Sequence, residues 1–253
     1  MKTIALILLI CLPVLARHEG RPINDPEATA IIKRSDQKLR GNSSRAEMKM
    51  TIVRPKWERE VSLKAWSLKD EYSLILITAP ARDKGSAFLK RKKELWNWQP
   101  TIDRIIKMPP SMMMQSWMGS DFTNDDLIRE SSIVKDYTHE LDGKEVVLGR
   151  ECHRIILTPK PEAPVVWGKV ITWIDIEEYM QMKVEFFDED GYLVNTMLGK
   201  EVERLGGKLL PSRLEMIPAD EEGHMTIIEY KELEFDVSIE ERFFSIQNMK
   251  RVR

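Results

Sequence analysis

The chain has 253 residues, 42% hydrophobic and 32% charged, with a formal net charge of −2. This ordinary globular balance suits one large domain or two small ones. Acids and bases alternate without a basic stripe, which argues against a nucleic-acid partner.

The N-terminus reads as a secretion signal. Lys2 is its charged start, and residues 4–14 form an apolar run too short to span a bilayer. Val14-Leu15-Ala16 supplies a small-residue site, so cleavage is expected after Ala16, leaving residues 17–253 as a single domain. Cys11 follows Ile10 rather than a small residue, so lipidation there is not expected. Cys152 would then be the one remaining cysteine, which rules out an internal disulfide. An exported, disulfide-free chain of this size suggests a bacterial periplasm.

Asp25-Pro26 opens a helix, with Asp25 as N-cap and Pro26 in the first turn. Ala28, Ile31, Ile32, Ser35 and Leu39 share one face, and Gly41 closes it. From Ser44 the period changes to two. Residues 44–52 and 57–66 alternate apolar and polar. Tyr72 to Ala79 is apolar on both faces, the pattern of a central strand covered on both sides. Short strands follow at 85–90, 95–99 and 102–107. Beyond a non-β stretch the alternation resumes, weakly at 137–141, then at 151–158, 169–176, 180–187, 192–203, 208–217 and 224–235. Asp188-Glu189-Asp190-Gly191 and Gly206-Gly207 are hairpin signals. Residues 238–244 should make a helical turn that buries Phe243 or Phe244. The whole reads as about eleven short strands in an antiparallel meander, one curved sheet with helices on its concave face.

The non-β stretch, residues 108–130, is the segment around which the rest is organised. Pro109 and Pro110 end the preceding strand, since neither offers a ladder N–H. Met112, Met113, Met114, Trp117 and Met118 follow, and Gly119 breaks the segment. Thr123 and Asp126 are spaced as a capping box. Two short helices laid across the sheet are expected. A Met-rich surface repacks readily against partners of different shape. Taken alone, Met and aromatic clusters are more often core packing, here beneath a crossover.

Catalytic groups are hard to find. His139, His153 and His224 have no second ligand at metal spacing. Cys152 and His153 are adjacent on a strand, so they point to opposite faces. Asp121, Asp125 and Asp126 lack the spacing of a calcium loop and suit a helix start. No catalytic residue, cofactor or metal is expected. What remains is apolar. Trp66, Trp96, Trp98, Met112, Met113, Met114, Trp117, Met118 and Phe122 are the candidate walls and lid of a cavity for an acyl chain.

Gly119-Ser120-Asp121-Phe122, followed by Asp125-Asp126-Leu127, resembles the signature of the outer-membrane lipoprotein-sorting family within the LolA-like superfamily of periplasmic carriers. Ala79-Pro80, Trp96-Asn97-Trp98-Gln99-Pro100, and Gly149-Arg150-Glu151-Cys152 leading to Thr158-Pro159-Lys160 fit the same layout. The resemblance covers essentially the whole chain after the signal. It implies a mainly β fold, a half-open antiparallel β-barrel with a helical lid. It also implies a non-enzymatic carrier of lipid or lipoprotein acyl chains, acting with an inner-membrane transporter. A lipid-binding envelope sensor or accessory subunit is the alternative. The family's arginine beneath the lid has no evident counterpart by position.

Overall fold

The structure, a computed structural model, describes residues 24–252 except 93, 129–131 and 162. The expected signal peptide therefore lies outside the described residues.

Helix α1, Pro26–Arg40, forms as the sequence dictates. The Asp25 carboxylate accepts from the backbone N–H of Glu27 and Ala28, Pro26 occupies the first turn, and Gly41 caps the C-terminus at φ 63°. Ala28, Ile31, Ile32 and Ser35 are its buried face.

Among the described residues, thirteen strands follow. They are β1 Ser43–Arg54, β2 Trp57–Leu68, β3 Tyr72–Ala79, β4 Ala87–Arg91, β5 Glu94–Gln99, β6 Arg104–Lys107, β7 Tyr137–Val147, β8 Arg150–Pro159, β9 Lys169–Asp175, β10 Gln181–Phe187, β11 Leu193–Leu205, β12 Lys208–Pro218 and β13 Met225–Phe235. All lie in one sheet, in the order β6-β5-β4-β3-β2-β1-β13-β12-β11-β10-β9-β8-β7. Every neighbouring pair is antiparallel. The number exceeds the eleven or so expected, and each strand falls on one of the alternating or apolar segments of the sequence.

The strand order fixes where the lid must go. The chain starts mid-sheet at β1, meanders out to one edge at β6, then restarts at the far edge, β7, and meanders back until β13 pairs with β1. The link between β6 and β7 must therefore pass from one edge of the sheet to the other. That link is the Met-rich segment.

Both faces are covered along β3. Ile75 and Ile77 join the concave core with Met50, Ile52, Val61, Leu63, Ile155 and Leu157. Tyr72, Leu74 and Leu76 point the other way, onto Phe244 and Met249. This explains the unbroken apolar run in β3. The expected C-terminal turn is present at Glu241–Phe243, followed by a one-turn helix α3, Ile246–Met249. Phe244 is fully buried. Among the described residues no helix is long and apolar enough to cross a membrane.

Candidate functional site

The crossover is less helical than its sequence suggests. Pro110–Met112 is a single 3₁₀ turn, and the methionines after it lie in turns rather than a helix. The cause lies downstream, in a miniature hairpin. Ser116 pairs with Thr123, the Trp117 N–H donates to the Phe122 carbonyl at 2.8 Å, and the Ser120 N–H donates to the Trp117 carbonyl at 3.0 Å. Met118 and Gly119 at its tip have φ 54° and 78°, the sign a type I′ turn requires at both central positions. The second expected helix is real: α2, Asn124–Ile128. Its capping box closes reciprocally. The Thr123 N–H donates to Asp126 Oδ2 at 2.8 Å, and the Asp126 N–H donates to Thr123 Oγ1 at 3.1 Å.

Two arginines and a threonine clasp the hairpin to the sheet. Arg54 Nη1 and Nη2 donate to both oxygens of Asp121 at 3.0 and 2.9 Å, and Nη2 also donates to the Gly119 carbonyl at 3.0 Å. The Thr226 hydroxyl donates to Asp121 Oδ2 at 2.6 Å, and Arg59 donates to the Met118 carbonyl. Both partners of the Arg54–Asp121 pair are almost wholly buried, so its geometry must satisfy their charges. The Gly-Ser-Asp-Phe segment is thus the part of the lid that is tied down.

Beneath the lid lies a cavity of about 280 Å³ between α1, α2 and the concave sheet. Met48, Ala65, Phe186, Met197 and Leu214 face it from both halves of the sheet, and each keeps some accessible surface. Phe122, Leu127, Tyr137 and Trp167 close the lid end. Ser44, Ser67, Ser73 and Arg40 line the end near the C-terminus of α1.

Asp126 also faces the cavity. Its carboxylate accepts from Trp167 Nε1 at 3.3 Å as well as from Thr123. It is half-buried and keeps some accessible surface. Burial pushes its carboxyl up to about 6, against the opposing pull of the Thr123 and Trp167 hydrogen bonds. Burial likewise raises the Tyr137 hydroxyl, helped by the nearby Asp125 and Asp126 carboxylates.

The structure divides the nine expected wall residues. Phe122 lines the cavity. Met113 and Trp117 are buried in the concave core, with Met112 and Met118 packed partly against it. Trp117 packs against Phe88 in a tilted arrangement, with ring centroids 5.2 Å apart. Met114 is 66% exposed and lines a separate outer cavity. Trp66, Trp96 and Trp98 belong to the cluster on the opposite, convex face. Trp66 borders the cavity, but its ring packs on Phe243. Trp96 and Trp98 do share a face, as their spacing requires. That face is turned away from the lid, because Leu95, the residue before Trp96, takes the concave side. Sequence reasoning missed Tyr137 and Trp167, and the concave residues of β10 to β13. Their period-two alternation was visible, but nothing in it said which face was concave.

Several of the groups that could do chemistry are buried or already engaged. Cys152 is fully buried, and burial pushes its thiol up to about 11, so it is no thiolate at neutral pH. His139 is held by the Thr29 hydroxyl at 2.9 Å and the Ile133 carbonyl at 2.7 Å, and burial lowers its pKa. Asp121, Glu221 and His224 bring possible metal-ligating atoms within 4.8 Å of one another. Both Asp121 oxygens, however, already accept from Arg54 or Thr226.

Comparison with known proteins agrees with this geometry. A family model whose description reads "Uncharacterized protein" matches residues 69–251. A search of the curated proteins finds no match. Among solved structures, a DUF1329 family protein from Desulfovibrio piger aligns at TM-score 0.80 and 24% identity, covering 88% of this chain and 98% of its own. A domain described as outer membrane lipoprotein-sorting, from Vibrio parahaemolyticus, aligns at TM-score 0.79 and 22% identity, covering 89% and 99%. A LolA superfamily protein from Nitrosomonas europaea aligns at TM-score 0.75 and 22% identity, covering 87% and 98%. At these identities the likeness is one of fold: an open antiparallel barrel.

Proposed function

Since the chain belongs to the family of that matching model and has the LolA-like fold of the outer-membrane lipoprotein-sorting proteins, we propose that it is a periplasmic carrier. It binds a lipid or lipoprotein acyl chain in the concave cavity and helps sort it towards the outer membrane, receiving it from an inner-membrane transporter. The observation that carries this reading is the mainly apolar cavity under a crossover that spans the sheet from edge to edge. An acyl chain in water costs about 0.8 kcal/mol for each exposed CH₂, so burial of the chain against apolar walls favours binding. Ligand sites usually run to about 300–1,000 Å³. At about 280 Å³ the cavity suits a single chain, and a multiply acylated cargo requires the lid to move.

Native mass spectrometry of protein purified from the periplasm, followed by organic extraction, tests the reading. A bound lipid that is lost on denaturation is expected. A chain that carries no lipid and also fails to bind a fluorescent fatty-acid probe would be no carrier. N-terminal sequencing of the same material is expected to begin at Arg17.

A further inference from the structure

Two side chains form the wall between two cavities. Phe122 and Trp167 line both the concave cavity and a second one of about 460 Å³, which lies between the crossover hairpin and the turn joining β10 to β11. The floor of this outer cavity is apolar, made by Phe122, Trp167, Val166 and Val194. Asp188, Glu189 and Asp190 line its rim, and among the described residues no Lys or Arg does. Asp121 lines it too, but its carboxylate is paired with Arg54. Trp167 packs in the concave core, contacts the Phe186 ring at 5.1 Å and donates a long hydrogen bond to Asp126, 3.3 Å.

We propose that the two cavities are one ligand site parted by Phe122 and Trp167, with the acyl chain inside and a cationic head group of the alkylammonium class on the acidic rim outside. The proposal rests on the carrier reading above and adds to it the head-group chemistry and the residues that separate head from chain. An amphiphile needs an enclosed apolar space for its tail and a water-facing space for its head, and the two cavities supply them on either side of one aromatic wall. Carboxylates on the rim attract a cation and repel a phosphate or carboxylate head. The Trp167 ring also offers a face to a cation that reaches the floor.

The test uses the full chain at pH 8, loaded with the uncharged probe N-phenyl-1-naphthylamine. Dodecylamine, dodecyl maltoside and dodecanoate, each below its micelle concentration, then compete for it. The ammonium is expected to displace the probe at about tenfold lower concentration than the carboxylate, a modest ratio because the rim charges are screened by water. In a variant carrying Glu189→Gln and Asp190→Asn, both in an exposed turn, that ratio should fall to near one. Equal displacement by both heads in the parent, or an unchanged ratio in the variant, would overturn the head-group assignment. Displacement by none of the three would remove the carrier reading itself. Trp167→Phe, which keeps an aromatic ring but loses the hydrogen bond to Asp126, should speed entry of the probe in stopped flow. An unchanged entry rate would overturn the role of the wall.

Discussion

At Asp126 a single carboxyl reports on the state of the cavity. Its pKa is 3.8 when unperturbed and about 6 in the fold, because burial disfavours its charge. The folded protein therefore binds a proton that the unfolded chain has already released between those values. The stability this group contributes is full below about pH 4 and is lost as pH rises through about 6, a change on the order of 3 kcal/mol. Asp126→Asn cannot titrate. Its stability relative to the parent should therefore improve steadily from pH 4 to pH 7, as followed by urea unfolding; a difference that stays flat across that range would mean the carboxyl is solvated. The neighbouring methionines give a sharper contrast. Met113 is 4% exposed and Met114 66%. Met113→Glu should cost at least about 3 kcal/mol, since it adds a buried charge to the loss of packing. Met114→Glu should stay within about 0.5 kcal/mol of the parent. Three consecutive methionines look alike in sequence. Only the hairpin that follows decides which of them turns inward.

At the scale of elements, much was legible, and the physical reasons can be separated. The α1 caps, the capping box at Thr123 and the double burial of β3 follow from local rules of hydrogen bonding and periodicity. The order of strands around β1 and the meander on either side follow from short turns. The candidate site was read less well, because a period of two assigns residues to a shared face without saying which face is concave. Trp96 and Trp98 were placed under the lid on that ambiguity, and the structure puts them against the C-terminal segment. The helical expectation for the Met stretch failed for another reason: Arg54, Arg59 and Thr226, distant in sequence, hold a hairpin that competes with it. That clasp gives a prediction for the lid as a unit. Arg54→Ala leaves Asp121 buried without its guanidinium partner, at a cost of about 3–5 kcal/mol. The loss should be local first. Hydrogen exchange at residues 116–123 should quicken well before exchange in β1 or β3. Uniform acceleration across the sheet would show that the clasp supports the whole fold rather than the lid.

The whole molecule has two lobes of strands, β1 to β6 and β7 to β13, that meet through a single pairing of β1 with β13. Length alone would permit two domains. The concave core argues otherwise, because Met50, Ile52 and Ile77 from one lobe and Ile155, Leu157 and Val184 from the other form one cluster with the crossover between them. Removing either lobe would expose that cluster and leave the crossover anchored at one end only. We therefore expect the two lobes to unfold together. The tryptophans make this testable without labels. Trp57, Trp66, Trp96, Trp98 and Trp117 precede β7, and only Trp167 and Trp173 follow it. Fluorescence thus reports mainly on the first lobe and the crossover, whereas far-ultraviolet circular dichroism reports on strands throughout. Thermal or urea unfolding should give coincident transitions by the two probes. A fluorescence change that precedes the loss of strand signal would show that the first lobe, with the lid, melts as a separate unit.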